Sequence, residues 1–177
     1  PANLEGFETE VIKGTNVTKA VKKDDAGNAI ETGYISGGKR NGMWMTYYDG
    51  NNAGKVKTIA SYSDGILNGP YFEISNRGQI EKEVNYANNL YDGKFVVYKY
   101  GRVVQEAEYS NNKLNGSFKE YFNGGGLQKE ITYKDGKQDG VMRYYNEDGD
   151  ITVEYQYEDG EKISGGIVEK KSADSEE

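Results

Sequence analysis

Five glutamates, Glu31, Glu83, Glu106, Glu130 and Glu154, each stand three residues before a tyrosine. Tyr47, Tyr98, Tyr121 and Tyr145 each stand five residues after a glycine. Rows of carboxylates are the raw material of glycoside hydrolysis, which needs two of them about 5 to 9.5 Å apart. Little else in the chain could support such work. The 177 residues include no cysteine and no histidine, which excludes disulfides, thiolate and imidazole metal ligands, and nucleophile systems built on a histidine base. Glu147-Asp-Gly-Asp150 hints at calcium but lacks the alternating ligands and closing glutamate of an EF-hand loop, so a hairpin turn accounts for it better.

The elements that position these residues repeat. Tyr62, Tyr86, Tyr109, Tyr133 and Tyr157 recur about every 24 residues, with Tyr34 leading at a longer interval. A related phrase follows them, as in Tyr62-Ser-Asp-Gly-Ile-Leu-Asn-Gly69, Tyr109-Ser-Asn-Asn-Lys-Leu-Asn-Gly116 and Tyr133-Lys-Asp-Gly-Lys-Gln-Asp-Gly140. Such a period means a repeat array, in which each unit packs on its neighbours. Each unit divides into two strands. An outgoing strand follows the motif glycine (Met43 to Tyr48, Pro70 to Ile74, Lys94 to Tyr98, Ser117 to Phe122, Val141 to Tyr145). After a glycine turn, a return strand runs up to the tyrosine, and Asp-Gly or Asn-Asn then closes the next hairpin, because those residues tolerate the positive φ of tight turns.

Strand alternation assigns the faces. The positions two and six before each tyrosine are mostly aliphatic and share its face. The glutamates lie on the other, polar face, solvated and paired with lysines such as Lys82, Lys119 and Lys129. On the outgoing strands, Trp44, Tyr71, Phe95, Phe118 and Met142 pack on the tyrosine face. Tyr47, Ile74, Tyr98, Tyr121 and Tyr145 have the opposite parity and fall beside the glutamates. Glutamates in successive repeats are two strands apart, about 10 Å, at the outer limit for a catalytic pair.

These signals predict an all-β fold, an elongated single-sheet antiparallel meander of tandem hairpins. Residues 1–33 form a degenerate capping repeat, 34–165 five tandem repeats and 166–177 a charged, frayed tail; Glu8 to Ile12 suggests an edge strand. Lys and Arg number 22 against 29 Asp and Glu, a net charge of −7. That balance disfavours nucleic acid and anionic membranes as partners. The chain opens on Pro1-Ala-Asn without an initiator methionine, as a removed leader would leave it and as a trimmed boundary would equally, so export or the cell surface is slightly favoured over the cytoplasm.

The unit Tyr-x-Asp/Asn-Gly/Asn-x-x-Asn/Asp-Gly, followed by x-aromatic-x-x-Tyr, a glycine and x-x-Glu-x-x-Tyr, resembles the bacterial variant of the MORN repeat across roughly residues 27 to 165. That variant occurs in proteins labelled as the antitoxin component of a toxin–antitoxin pair, the YwqK-like family. The resemblance implies hairpins stacked into one long meander used for contacts with a protein partner. A second stretch, Trp44-Met-Thr-Tyr-Tyr-Asp-Gly50, resembles choline-type cell-wall-binding repeats, although those need a tryptophan in nearly every unit and this chain has one.

The expected function is a non-enzymatic interaction scaffold without a cofactor. Its partner-binding residues are Tyr47, Tyr98, Tyr121 and Tyr145 with Glu83, Glu106, Glu130 and Glu154, because tyrosine supplies rigid contact area at low entropic cost. The alternative is an extracytoplasmic glycan or cell-wall binder that uses the same exposed aromatics.

Overall fold

The computed structural model describes residues 2–169. It is an open antiparallel meander of fourteen strands in chain order: β1 (Phe7–Val11), β2 (Val17–Lys23), β3 (Ala29–Ser36), β4 (Lys39–Tyr47), β5 (Val56–Ser63), β6 (Ile66–Ile74), β7 (Ile80–Ala87), β8 (Leu90–Lys99), β9 (Arg102–Ser110), β10 (Lys113–Tyr121), β11 (Leu127–Lys134), β12 (Lys137–Tyr145), β13 (Ile151–Glu158) and β14 (Glu161–Ile167). One 3-10 turn, Gly50–Asn52, is the only helical element among the described residues. The expected edge strand is β1. β2, which the sequence did not single out, is a full outgoing strand in which Thr18 and Ala20 replace the glycine and the aromatic. Gly166 and Ile167 belong to β14, and the tail from 170 on lies outside the described residues.

The motif glycines do not begin the outgoing strands; they interrupt them. β6, β8, β10 and β12 each start three residues earlier. In each, the Asx-Gly-x triplet bulges opposite one residue of the preceding return strand, as Asn115-Gly116-Ser117 does against Glu108. Gly69, Gly93, Gly116 and Gly140 hold φ between +97° and +118° there, a conformation that favours glycine. On the other side of each glycine stands the repeat tyrosine of the next return strand: Tyr62 faces Gly42, Tyr86 faces Gly69, Tyr109 faces Gly93, Tyr133 faces Gly116 and Tyr157 faces Gly140.

Ahead of the bulge, the outer edge of each outgoing strand is closed by the turn of the next hairpin. Tyr91 N–H donates to Asn112 Oδ1 at 2.6 Å, the Asn112 N–H donates to the Tyr91 carbonyl at 2.9 Å, and the Asn111 N–H donates to Asp92 Oδ2 at 3.2 Å. Leu67 and Asn68 hold Asn89 and Asn88 in the same way. Asn115 and Leu114 hold Asp135 and Gly136, and Asp139 and Gln138 hold Asp159 and Gly160. These turns have positive φ at both central residues, the two-residue hairpin form that matches strand twist.

Most of the core is one row on the tyrosine face. Across the strands it alternates small and large: Gly33, Trp44, Ala60, Tyr71, Val84, Phe95, Ala107, Phe118, Ile131, Met142. Trp44, Ala60, Val84, Ala107, Ile131 and Met142 are buried, and the tyrosines flank the row in edge-on ring contacts such as Trp44–Tyr62 and Tyr71–Tyr86.

Three sequence expectations are corrected by the register. First, a one-residue bulge at Lys57, Glu81, Val104, Gln128 and Thr152, five before each tyrosine, inverts the alternation. Val56, Ile80, Val103, Leu127 and Ile151 therefore pair with Tyr47, Ile74, Tyr98, Tyr121 and Tyr145 on the glutamate face, not on the tyrosine face. Second, Tyr34 is not the first member of its column. Thr32 pairs with Met45, as Glu83 does with Val96, so Ile35 takes the tyrosine's place beside Trp44 and Thr32 takes the glutamate's. Tyr34 is 41% exposed on the opposite face, and Glu31 lies on the tyrosine face, ion-paired to Arg40 at 2.8 Å. Third, Lys82 and Lys129 pair with Glu73 and Glu120 on the tyrosine face, over the rings of Phe95 and Phe118. Of the three lysines named, Lys119 alone meets the glutamate column, at Glu130.

Trp44 occupies the space that a side chain at Gly33 would need: a Cβ there would fall inside the indole. Gly33→Ala is expected to destabilise the protein by about 3 kcal/mol, an overpacking cost, and Trp44→Leu in the same chain to recover part of it. Urea denaturation of the two single variants and the double variant checks this; additive losses would contradict the contact.

Candidate interaction face

The glutamate face carries two adjacent rows. The first, read across the strands, is Thr32, Met45, Ile59, Phe72, Glu83, Val96, Glu106, Lys119, Glu130, Arg143 and Glu154. It is apolar at its start and ionic at its end, so the face is not uniformly polar, and Val96 within it is fully buried. The second row holds the four candidate tyrosines and the aliphatic residues that the bulge brings over.

The structure joins the two rows. Tyr98 donates its hydroxyl hydrogen to Glu83 Oε2 at 3.1 Å, Tyr121 to Glu106 Oε2 at 2.7 Å and Tyr145 to Glu130 Oε2 at 3.1 Å. Tyr47 makes the equivalent contact to Thr32 Oγ1 at 3.0 Å. Each tyrosine thus leans onto the return strand before its own. Glu154 has no such tyrosine and is bound by Arg143 Nε at 2.6 Å. Lys119 stands 4.0 Å from Glu130, Arg143 4.0 Å from Glu130 and Lys94 3.8 Å from Glu83. Exposed ion pairs of this kind each contribute about 0 to 1 kcal/mol.

Burial raises the hydroxyl pKa of Tyr98, Tyr121 and Tyr145, and the acceptor glutamate adds to the effect by opposing a second negative charge. Tyr121 is pushed up to about 12, first by burial and then by Glu106. Tyr98 and Tyr145 move in the same direction, with Glu83 and Glu130 as the second cause.

Chemically, this face offers rings and aliphatic side chains at half burial, bordered by carboxylates already engaged in hydrogen bonds. Between successive glutamates stands Val96, Lys119 or Arg143, so no two carboxylates of the column face each other across open space. No cluster of metal-ligating side chains occurs among the described residues. At the apolar end, a groove of about 450 Å³ is lined by Val21, Thr32, Met43, Met45 and Tyr47. Sequence inspection missed the column three residues past the glycine, Met45, Phe72, Val96, Lys119 and Arg143. Its members share no chemistry, so only the register reveals it.

No protein-family model matches the chain, and no curated protein matches it. Among solved structures it is similar to a mutant of S. aureus TarM in complex with Fondaparinux, alpha-GlcNAc-glycerol and UDP. The identity is 15% and the TM-score 0.37, over 62% of this chain and 21% of that one. A likeness at that TM-score carries no argument.

The tyrosine shifts make alkaline stability a test of the face. The folded protein holds the Tyr121 proton more tightly than the unfolded chain does. The resulting stabilisation is complete below the ordinary value of 10.0 and is lost as pH rises through about 12. Tyr121→Phe, which cannot ionise, is expected to lose less stability than the parent between about pH 9 and 11.5. Equal losses in urea titrations at the two pH values would show that Tyr121 titrates alike in both states.

Proposed function

We propose that the protein is a non-enzymatic interaction scaffold that holds a protein partner along the glutamate face. The antitoxin-type role implied by the resemblance to MORN-like repeats is one form of it. The observation that carries this reading is the second row, in which Tyr47, Tyr98, Tyr121 and Tyr145 are interspersed with half-buried or exposed aliphatic side chains, three of them between Tyr47 and Tyr98 and one between each later pair, across ten strands of a single-layer sheet. Contiguous aromatic and aliphatic surface of this kind suits protein contact.

The engaged hydroxyls refine the expected mode of contact. They fix the rings rather than reach for a partner, so recognition rests on ring faces and aliphatic area, with the row of carboxylates favouring a basic or amphipathic partner. Held rings lose little further freedom on binding, and that pre-organisation favours affinity.

The test begins with a partner identified by capture from native lysate and confirmed with purified protein by calorimetry. Tyr98→Ser with Tyr121→Ser is expected to abolish that binding, while Tyr98→Phe with Tyr121→Phe, which keeps the rings, reduces it by less than about tenfold, or 1.4 kcal/mol. Circular dichroism on each variant establishes that the fold persists. Full binding by the serine variant would remove these tyrosines from the interface.

A further inference from the structure

The hairpins have a second edge, formed by the turns from outgoing to return strands, and its charge differs from that of the whole molecule. Three successive turns carry Lys55 and Lys57, then Arg77, then Lys99 and Arg102, all exposed, against two carboxylates, Asp49 and Glu81. Among the described residues, none of the five cations enters a salt bridge. Their contacts are to neutral groups: Lys55 to Asn52 Oδ1, Arg102 to the Asn123 carbonyl, Lys57 to the Tyr48 ring and Lys99 to the Tyr100 ring. Farther along the same edge the turns are acidic at Asp24-Asp25 in one direction and, past the neutral turn at 122–126, at Glu147-Asp148 in the other.

Tyr100 stands on the last turn of this basic stretch, between Lys99 and Arg102, and breaks the rule that the other turns obey. Every other non-glycine residue with positive φ among the described residues is Asn or Asp; Tyr100 alone, at φ +52°, is not. An aromatic residue is a poor choice for left-handed backbone, and its ring earns no compensating packing, being 80% exposed. The ring separates two grooves, one of about 430 Å³ toward Arg102 and Asn123 and one of about 410 Å³ toward Arg77. A strained, exposed ring between grooves and among unpaired cations is suited to binding rather than to folding.

We propose that the turn edge running from Lys55 through Arg77 to Arg102, with Tyr100 on its last turn, docks a short acidic peptide segment of a partner protein. Successive turns on one edge are two strands apart, about 10 Å. That spacing matches carboxylates three residues apart in a polyproline-type segment, which rises about 3.1 Å per residue and presents every third side chain on one face. Acidic turns bound the stretch at Asp24-Asp25 on one side and, beyond a neutral turn at 122–126, at Glu147-Asp148 on the other, so a long polyanion such as nucleic acid would run onto repelling charge at either end. A glycan would be better served by a stacking ring on every turn, and of the two rings on these three turns Tyr100 alone is exposed, the Tyr48 hydroxyl being tied to the Ile74 carbonyl. The site adjoins the tyrosine–glutamate face, whose Tyr98 and Ile80 also line the groove toward Arg77, but it does not rest on the binding role proposed for that face.

The probe is a fluorescein-labelled nonapeptide in which glutamate recurs every third residue among prolines, titrated by fluorescence anisotropy into the full chain at low and at physiological salt. Saturable binding that weakens with salt is expected. Tyr100→Asn should weaken it by at least about tenfold while leaving the urea midpoint unchanged or raised, because asparagine tolerates the turn better. Arg77→Glu with Arg102→Glu should remove binding, and Glu147→Lys should leave it unchanged. The proposal is overturned if the peptide does not saturate the protein, or if Tyr100→Asn and the arginine double variant bind like the parent. Tighter binding of a heparin oligosaccharide, a single-stranded oligonucleotide or phosphatidylserine vesicles than of the peptide at the same salt would also overturn it, by assigning the edge to another polyanion.

Discussion

The opening residues of each outgoing strand must satisfy backbone groups on an edge that the next return strand does not reach, and the way they do so sets the architecture. The turn of the next hairpin folds against that edge. Its amides donate to the motif Asx side chain and to the neighbouring carbonyl; at Leu67 and Tyr91 the turn asparagine also accepts the strand N–H. Each such bond contributes about 0.5 to 1.5 kcal/mol, and leaving the groups unpaired costs more. The bonds are also directional, so they hold one repeat at a fixed offset from the next. The glycine after the Asx residue adopts the positive φ that bends the strand back into register beyond the turn.

From that offset the faces follow. The bulge at the motif glycine places the tyrosine of the next repeat opposite a residue without a side chain, where its ring packs beside the central row of small and large residues. The second bulge, five residues before the tyrosine, moves an aliphatic side chain onto the glutamate face and gives Tyr98, Tyr121 and Tyr145 an apolar neighbour across the strand. A single-layer sheet has no second layer to cover it, so each face closes on itself. Edge-on rings and cation–π contacts do this on one side, and tyrosine–glutamate hydrogen bonds and ion pairs on the other. Neither face is covered by a second layer, as the proposed scaffold role requires.

The hairpin order was legible because Asp-Gly, Asn-Asn and the spaced glycines are turn signals with a backbone reason behind them. The parity of Trp44, Phe95 and Phe118 against Tyr47, Tyr98 and Tyr121 was legible as well, and the structure places these columns on opposite faces. The second bulge was not, because Lys57, Glu81, Val104, Gln128 and Thr152 have no residue type in common. Tyr34 misled for a related reason: it matches the repeat by residue type, whereas the register is set by Trp44 lying over Gly33, one position away. The site was legible as two columns but not as a bonded lattice, since neither strand pairing nor hydroxyl direction is written in the spacing. Tyr100 carried a local signal, an aromatic before glycine at a turn where the motif-side hairpins use Asn or Asp, but its exposure and left-handed backbone needed coordinates.

The central claim is that side chains of one hairpin turn hold the strand of the repeat before it. Native-state hydrogen exchange followed by NMR on the parent and on Asn112→Ala tests it most directly, because the Tyr91 amide has the Asn112 side chain as its partner. The account predicts a Tyr91 amide protected like its strand neighbours in the parent and selectively exposed in the variant, with the Phe118 amide little changed. A Tyr91 amide that already exchanges at the rate of a free turn in the parent, or protection unaffected by the substitution, would contradict it.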